Sequence, residues 1–257
     1  MSRNRFDSKV CLVTGAGAGI GRATALAFAR EGATIVVAEL NPDAGKTTLD
    51  EVLALGGKGL FVPVDIAHQE QVEHMVSVAV ATFGRLDCAV NSAGIAGTVS
   101  QPTHEYPEAD WLLMLSVNLT GTWYCMKAQL TQMLKQGGGT IVNIASAAGL
   151  RGQPENVPYA ASKHGVVGLT RTAAIEYATK NIRINALCPT AIETPMLMEG
   201  RRKLAYNPEA REKAINYQAM KRMGQPGEVA DVALWLCSGE SSFMTGHALP
   251  VDGGAFA

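Results

Sequence analysis

The sequence TGAGAGIG, residues 14–21, places four glycines in eight positions directly after the apolar run KVCLVT. Missing side chains let a backbone approach a ligand closely, and free N–H groups at the start of a following helix attract negative charge. Tight strand-to-helix turns also use glycine for geometry alone, so the loop reads either as a phosphate cradle or as a plain turn. The widespread G-x-G-x-x-G pattern, started at Gly15, requires glycine where Ile20 stands. What surrounds the loop has to decide between the two readings.

Short apolar runs alternate with longer helical patterns along nearly the whole chain. The runs are KVCLVT, ATIVVAE, GLFVPVD, LDCAVN, TIVNIAS, IRINALCP and HALPVD, and their continuous apolar character predicts strands covered on both faces. Between them lie helical patterns over 19–32, 41–57, 68–84, 108–135, 157–180 and 224–239. Strand and helix repeated in this way predict right-handed crossovers and an α/β fold, a doubly wound parallel sheet of about seven strands flanked by helices. The 257 residues, 47% hydrophobic, suit one domain over 1–257, with no linker or repeat inside it. In such a sheet ligands lie beyond the carboxyl ends of the strands, which is where residues 14–21 fall.

Composition excludes several classes of function. A formal net charge of −1 leaves no basic surplus for nucleic acid, and no basic run is longer than Arg201, Arg202 and Lys203. The amino terminus carries Arg3 and Arg5 but too short an apolar run for a signal peptide, and no stretch is long enough to span a bilayer. Cys11, Cys88, Cys125, Cys188 and Cys237 are scattered without a C-x-x-C pair and read as buried apolar residues of a reducing, cytoplasmic protein. The five histidines show no ligand spacing, so no metal is expected.

The next strand ends in Glu39, close to the about 20 positions beyond the loop at which a ribose-binding acid is expected. An acid at a strand end is otherwise a solvated turn residue. Tyr159 and Lys163, four apart, share one face of a helix, where an ammonium favours ionisation of a phenol whose ordinary pKa is about 10. Ser146 follows the strand TIVNIA.

These residues resemble the classical short-chain dehydrogenase/reductase family. TGAGAGIG matches its T-G-x-x-x-G-x-G loop, and NSAG at 91–94, Asn118, Ser146, YAASK at 159–163 and VDGG at 251–254 follow in order over the full length. The resemblance implies hydride transfer between a secondary alcohol, or its ketone, and NAD. It makes Tyr159 the general base, Ser146 the group that fixes the substrate oxygen, Lys163 a ligand of the nicotinamide ribose, and Asn118 the holder of a water linking Lys163 to solvent. It places Gly15, Gly17, Gly19, Ile20 and Gly21 at the diphosphate, Glu39 and Leu40 at the adenosine ribose, and Asp65 and Ile66 at adenine. Asn91, Ala93 and Gly94 become a floor under that ribose, while Pro189, Ile192 and Thr194 meet the carboxamide end. It further implies a homo-oligomer, a tetramer in many members, and a substrate lid over 190–224, with Met196 and Met198 as an apolar wall or as ordinary packing.

One departure is Thr190, where the family carries glycine, and its side chain is expected to narrow the pocket. Arg201, Arg202 and Lys203 read as a solvated face, the alternative being a grip on a carboxylate. An NADPH-linked carbonyl or oxoacyl-carrier-protein reductase, and a dinucleotide sensor without chemistry, are the competing readings. Glu39 opposes the first and the Asn118, Ser146, Tyr159 and Lys163 set the second.

Overall fold

The computed structural model describes residues 4–257, and Arg3 lies outside the described residues. In chain order the elements are β1 (Val10–Thr14), α1 (Gly19–Arg30), β2 (Thr34–Glu39), α2 (Pro42–Ala54), β3 (Lys58–Pro63), α3 (Gln69–Phe83) and β4 (Cys88–Asn91). There follow α4 (Glu108–Leu115), a π-helical segment (Ser116–Gly121), α5 (Thr122–Gln136), β5 (Gly139–Ile144) and α6 (Val157–Tyr177). The chain closes with β6 (Ile182–Pro189), α7 (Pro195–Met198), α8 (Pro208–Asn216), α9 (Pro226–Cys237) and β7 (Ala248–Val251). All seven strands are parallel, in the order β3-β2-β1-β4-β5-β6-β7. The direction of winding reverses between β1 and β4, which opens a crevice at their carboxyl ends.

The continuous apolar runs have a simple cause, since the sheet is buried on both faces. Cys11 and Val13 of β1 pack with Phe28 of α1 and Val229 and Leu236 of α9. Their alternates Val10 and Leu12 pack on the opposite side with Val72 and Met75 of α3 and Met126 of α5. Burial of one such side chain is worth about 1.5–3 kcal/mol, and strand alternation sends that benefit to both layers.

Local signals set the helix ends. Asn41 caps α2 by accepting from the Asp43 and Ala44 N–H groups, with Pro42 behind it. Gln225 and Glu228 form a reciprocal capping box at α9. The long helix expected over 108–135 is interrupted by the π-helical segment, a departure from the sequence reading. All five cysteines are free and buried. Cys11 and Cys88, distant in sequence, are register partners on β1 and β4, and the Cys237 thiol meets Cys88. Among the described residues, no helix is long and apolar enough to cross a membrane.

Asp87 fastens the amino ends of β1 and β4, opposite the crevice. Its carboxylate accepts from the Val10 N–H at 3.0 Å and from Arg85 Nε at 2.7 Å, and Lys9 Nζ stands 3.3 Å away. Burial alone raises its pKa, but Arg85, the Val10 N–H and Lys9 outweigh that and hold the carboxyl below its usual value. A depressed carboxyl adds stability above the unfolded value of about 3.9 and loses it as pH falls through the folded value. Asp87→Asn is therefore expected to cost about 1–3 kcal/mol in urea denaturation at pH 7. The gap between variant and wild type should shrink as pH drops below about 4. A gap unchanged by pH would mean that the charge contributes nothing.

Candidate active site

A cleft of about 1220 Å³ lies along the carboxyl ends of the strands, with the glycine loop at one end and the segment after β6 at the other. In the loop Gly15 and Gly19 have φ of +64° and +52°, a region that favours glycine. A Cβ on Gly21 would stand 2.1 Å from the Gly15 carbonyl oxygen, and one on Gly15 would stand 2.6 Å from Ala93 Cα. The loop can therefore lie this close only because side chains are missing. The Thr14 hydroxyl, accepting from the Ser92 and Ala93 N–H groups, ties the ends of β1 and β4 together.

The N-cap of α1, Ala18, offers no side-chain acceptor, so the first N–H groups of the helix are left to a ligand facing the cleft. Glu39 is held beside the loop. Its Oε2 accepts from Gly17 N at 2.9 Å, and its Oε1 accepts from Leu40 N and Asn41 N at 2.9 and 3.0 Å. Gly17 itself lies off the cleft wall, and a Cβ there would stand 2.9 Å from the Glu39 side chain. Gly15, Gly19, Ile20, Gly21, Glu39 and Leu40 line this end, joined by Asp65 and Ile66 just beyond β3 and by Ala93 and Gly94 after β4.

Asn91 differs from expectation. Its side chain points inward, donating to Gln129 Oε1 and Asn143 Oδ1, and is 3% exposed, so it is not part of the cleft floor. The parallel sheet presents alternate residues to opposite sides, and at this register the side chain falls within the layer under α5.

At the other end, α6 carries Tyr159 and Lys163 to the wall opposite Ser146, which follows β5. Ser146 Oγ accepts from the Ala148 N–H at 3.1 Å, and its hydroxyl meets the Tyr159 phenol. Burial pushes the phenol pKa up, while the Ser146 hydroxyl, Arg202 and Arg201 pull it back only in part. The ammonium of Lys163 donates to the Ile144 carbonyl at 2.8 Å, and burial lowers its pKa to about 8. Lys163 Nζ lies 5.7 Å from the centre of the Tyr159 ring, as the spacing of four implies, and Arg202 and Arg201 from beyond β6 add positive charge that the spacing does not reveal.

Asn118 sits within the π-helical segment, fully buried and off the cleft wall. Its Oδ1 accepts from Ile95 N and its Nδ2 donates to Ile95 O, both at 2.8 Å. The side chain is thus engaged by the strand-end loop, which it positions against α6. A π turn commonly marks such a functional irregularity.

Pro189, Ile192 and Thr194 line the end beyond β6, and Thr194 caps α7. Thr190 stands on the wall too, but its hydroxyl donates to Gln218 Oε1 at 2.9 Å and so ties the end of β6 to the turn after α8. Met196 lines the cleft, while Met198 packs with Leu204 and Met223 in a small separate core. Arg201 and Arg202 also border the cleft, Arg201 half-buried and Arg202, like Lys203, exposed to solvent as expected. Among the described residues, no group of acids, histidines and cysteines suits a metal ion.

Comparison with known proteins agrees with this geometry. A family model described as enoyl-(acyl carrier protein) reductase matches residues 15–255. Cyclohexanol dehydrogenase of Acinetobacter sp. (strain SE19) is 43% identical over 250 residues, covering 97% of this chain and 96% of its own. The crystal structure of levodione reductase superposes with a TM-score of 0.93 at 38% identity, over 97% of this chain and 98% of that one. NAD+-bound xylitol dehydrogenase superposes with a TM-score of 0.91 at 36% identity, over 97% and 99% of the two chains. The chain therefore belongs to the classical short-chain dehydrogenase/reductase family of oxidoreductases.

Proposed function

We propose that the protein oxidises a secondary alcohol with NAD, and reduces the ketone with NADH, using Tyr159 as proton acceptor and donor. The observation that carries this reading is the meeting of the Tyr159 phenol and the Ser146 hydroxyl on the wall of the cleft that the glycine loop opens. The NAD carried by the similar xylitol dehydrogenase supports the choice of cofactor.

The residues present fit a dinucleotide. The loop through Gly15, Gly19, Ile20 and Gly21 packs too closely for side chains at its glycines and leads into a helix start without a side-chain cap, suited to a diphosphate. Glu39 would accept from the two adenosine ribose hydroxyls, with Leu40 beside them, and its carboxylate would repel the extra phosphate of NADP. Asp65 and Ile66 would meet adenine, with Ala93 and Gly94 as the floor. Lys163 would hold the nicotinamide ribose, and Pro189, Ile192 and Thr194 the carboxamide. When bound, the nicotinamide supplies the acceptor for the carbinol hydrogen and its electron pair.

The chain's own groups handle the proton. Ser146 donates to the substrate oxygen and fixes it within reach of Tyr159. Tyr159 takes the hydroxyl proton as the carbon becomes a carbonyl, and returns it in the reverse direction. Because burial raises the phenol pKa, ionisation depends on nearby positive charge, which Lys163, 5.7 Å from the ring centre, supplies from within α6 and Arg202 and Arg201 supplement from the substrate side. Asn118 acts by position, holding Ile95 and so the Gly94 turn against Lys163. A carbonyl-reductase reading, supported by the 40% identity to a 3-oxoacyl-[acyl-carrier-protein] reductase of Thermotoga maritima, has the same groups running in the other direction.

Two outcomes are expected. Tyr159→Phe should bind NADH within about two-fold of wild type, yet lose about 100-fold or more in turnover on an alcohol found by panel screening. Wild-type turnover in that variant would overturn the mechanism. For Lys163, the folded pKa of about 8 lies below an unfolded value of about 10.4, so the buried ammonium destabilises most below pH 8. Lys163→Met should accordingly be more stable than wild type at pH 7 by up to ~3 kcal/mol. That advantage should fade as pH rises toward about 10.4. A difference independent of pH in urea denaturation would show that Lys163 is not held against its charge.

A further inference from the structure

Three guanidinium groups meet at the substrate end of the cleft, and they differ in what occupies them. Arg151 lies over the Tyr217 ring at 4.4 Å and the Phe256 ring at 5.5 Å. Arg201 donates to Ser100 Oγ at 2.9 Å and to the Glu155 carbonyl at 3.4 Å. The Glu155 carboxylate is taken by the Ser100 hydroxyl at 2.8 Å. Arg202 lines the same cleft and, among the described residues, has neither a hydrogen bond nor an ion pair, although its charge is felt at the Tyr159 phenol.

We propose that Arg202 is a specificity residue that recognises a carboxylate on the substrate, attached to the same small skeleton as the reacting carbinol. This rests on the alcohol dehydrogenase reading above and names its substrate class. A guanidinium presents a planar fork that matches a carboxylate, and Arg202, exposed on the cleft wall beside Arg201 and Arg151, keeps all of its donors open to a ligand in a locally positive part of the cleft. Arg201 and Arg151 increase the local positive potential while their own donors and faces are partly used. Of the acids lining the cleft, Glu39 and Asp65 lie at the opposite end beside the glycine loop, and Glu155, at the arginine end, accepts from Ser100 and makes no ion pair with Arg202 among the described residues. The proximity to Tyr159 sets the position of the anion. It belongs on the substrate itself, near the carbinol, rather than at the far end of a long carrier. Desolvation by the cleft wall and the repulsion of Arg201 and Arg151 lower the Arg202 pKa, and an anion bound there would relieve that repulsion while the side chain stays reachable from solvent.

The test compares 3-hydroxycyclohexane-1-carboxylate with its methyl ester, which keeps the ring and the carbinol and removes the charge. Wild type should favour the acid in kcat/KM by about ten-fold or more, the range of a charged hydrogen bond. Arg202→Met should abolish that preference by raising KM for the acid about ten-fold more than for the ester, any lost support of the phenolate lowering kcat on both compounds alike, and Arg202→Lys should restore part of the preference. A wild-type preference for the ester would overturn the proposal. So would an equal loss on acid and ester in Arg202→Met, which would assign Arg202 to the phenol alone. Failure of wild type to turn over either compound, or any alcohol of a broad panel, would instead remove the alcohol dehydrogenase reading on which the proposal rests.

Discussion

The site depends on one close approach of backbone to backbone. Gly21 packs on the Gly15 carbonyl and Gly15 packs on the chain at Ala93, leaving no room for a Cβ at either place. This contact draws the end of β1 against the end of β4, where the winding of the sheet reverses, and the Thr14 hydroxyl secures it from below. With the loop so placed, the start of α1 faces the cleft and Gly17 N reaches the Glu39 carboxylate. The Glu39 carboxylate is thus fixed by the same contact that shapes the glycine loop.

The two ends of the sheet divide stability from chemistry. At the amino ends, Asp87 gathers Val10, Arg85 and Lys9 into paired charge. At the carboxyl ends, charges are left poorly matched. Lys163 is buried on a single carbonyl and the Tyr159 phenol is pushed toward its neutral form. Such groups are costly for an empty fold and useful to a site, since ligands supply what the protein withholds. The two apolar layers on either side of the sheet offset that cost.

The strands were legible because a sheet buried on both faces needs apolar residues at every position, and the Tyr159 and Lys163 pairing because four residues make about one helical turn. The π-helical segment was not legible, since one extra residue in a turn leaves the apolar period over 108–135 nearly unchanged. Nor was the inward turn of Asn91, which depends on Gln129 and Asn143 arriving from other elements. The path of the chain after β6 decides that Arg201 and Arg202 face the cleft, and no local pattern encodes it. The same holds for Cys11, Cys88 and Cys237, brought together by strand register and the seat of α9.

The central claim is that Glu39, fixed by the loop, makes this a seat for the unphosphorylated dinucleotide. The direct measurement is kcat/KM for NAD and for NADP at a fixed concentration of one alcohol and constant salt. The account predicts that NAD is preferred by more than about ten-fold, equivalent to about 1.4 kcal/mol, and that Glu39→Ser combined with Leu40→Arg shifts the preference toward NADP. A wild-type preference for NADP would contradict it.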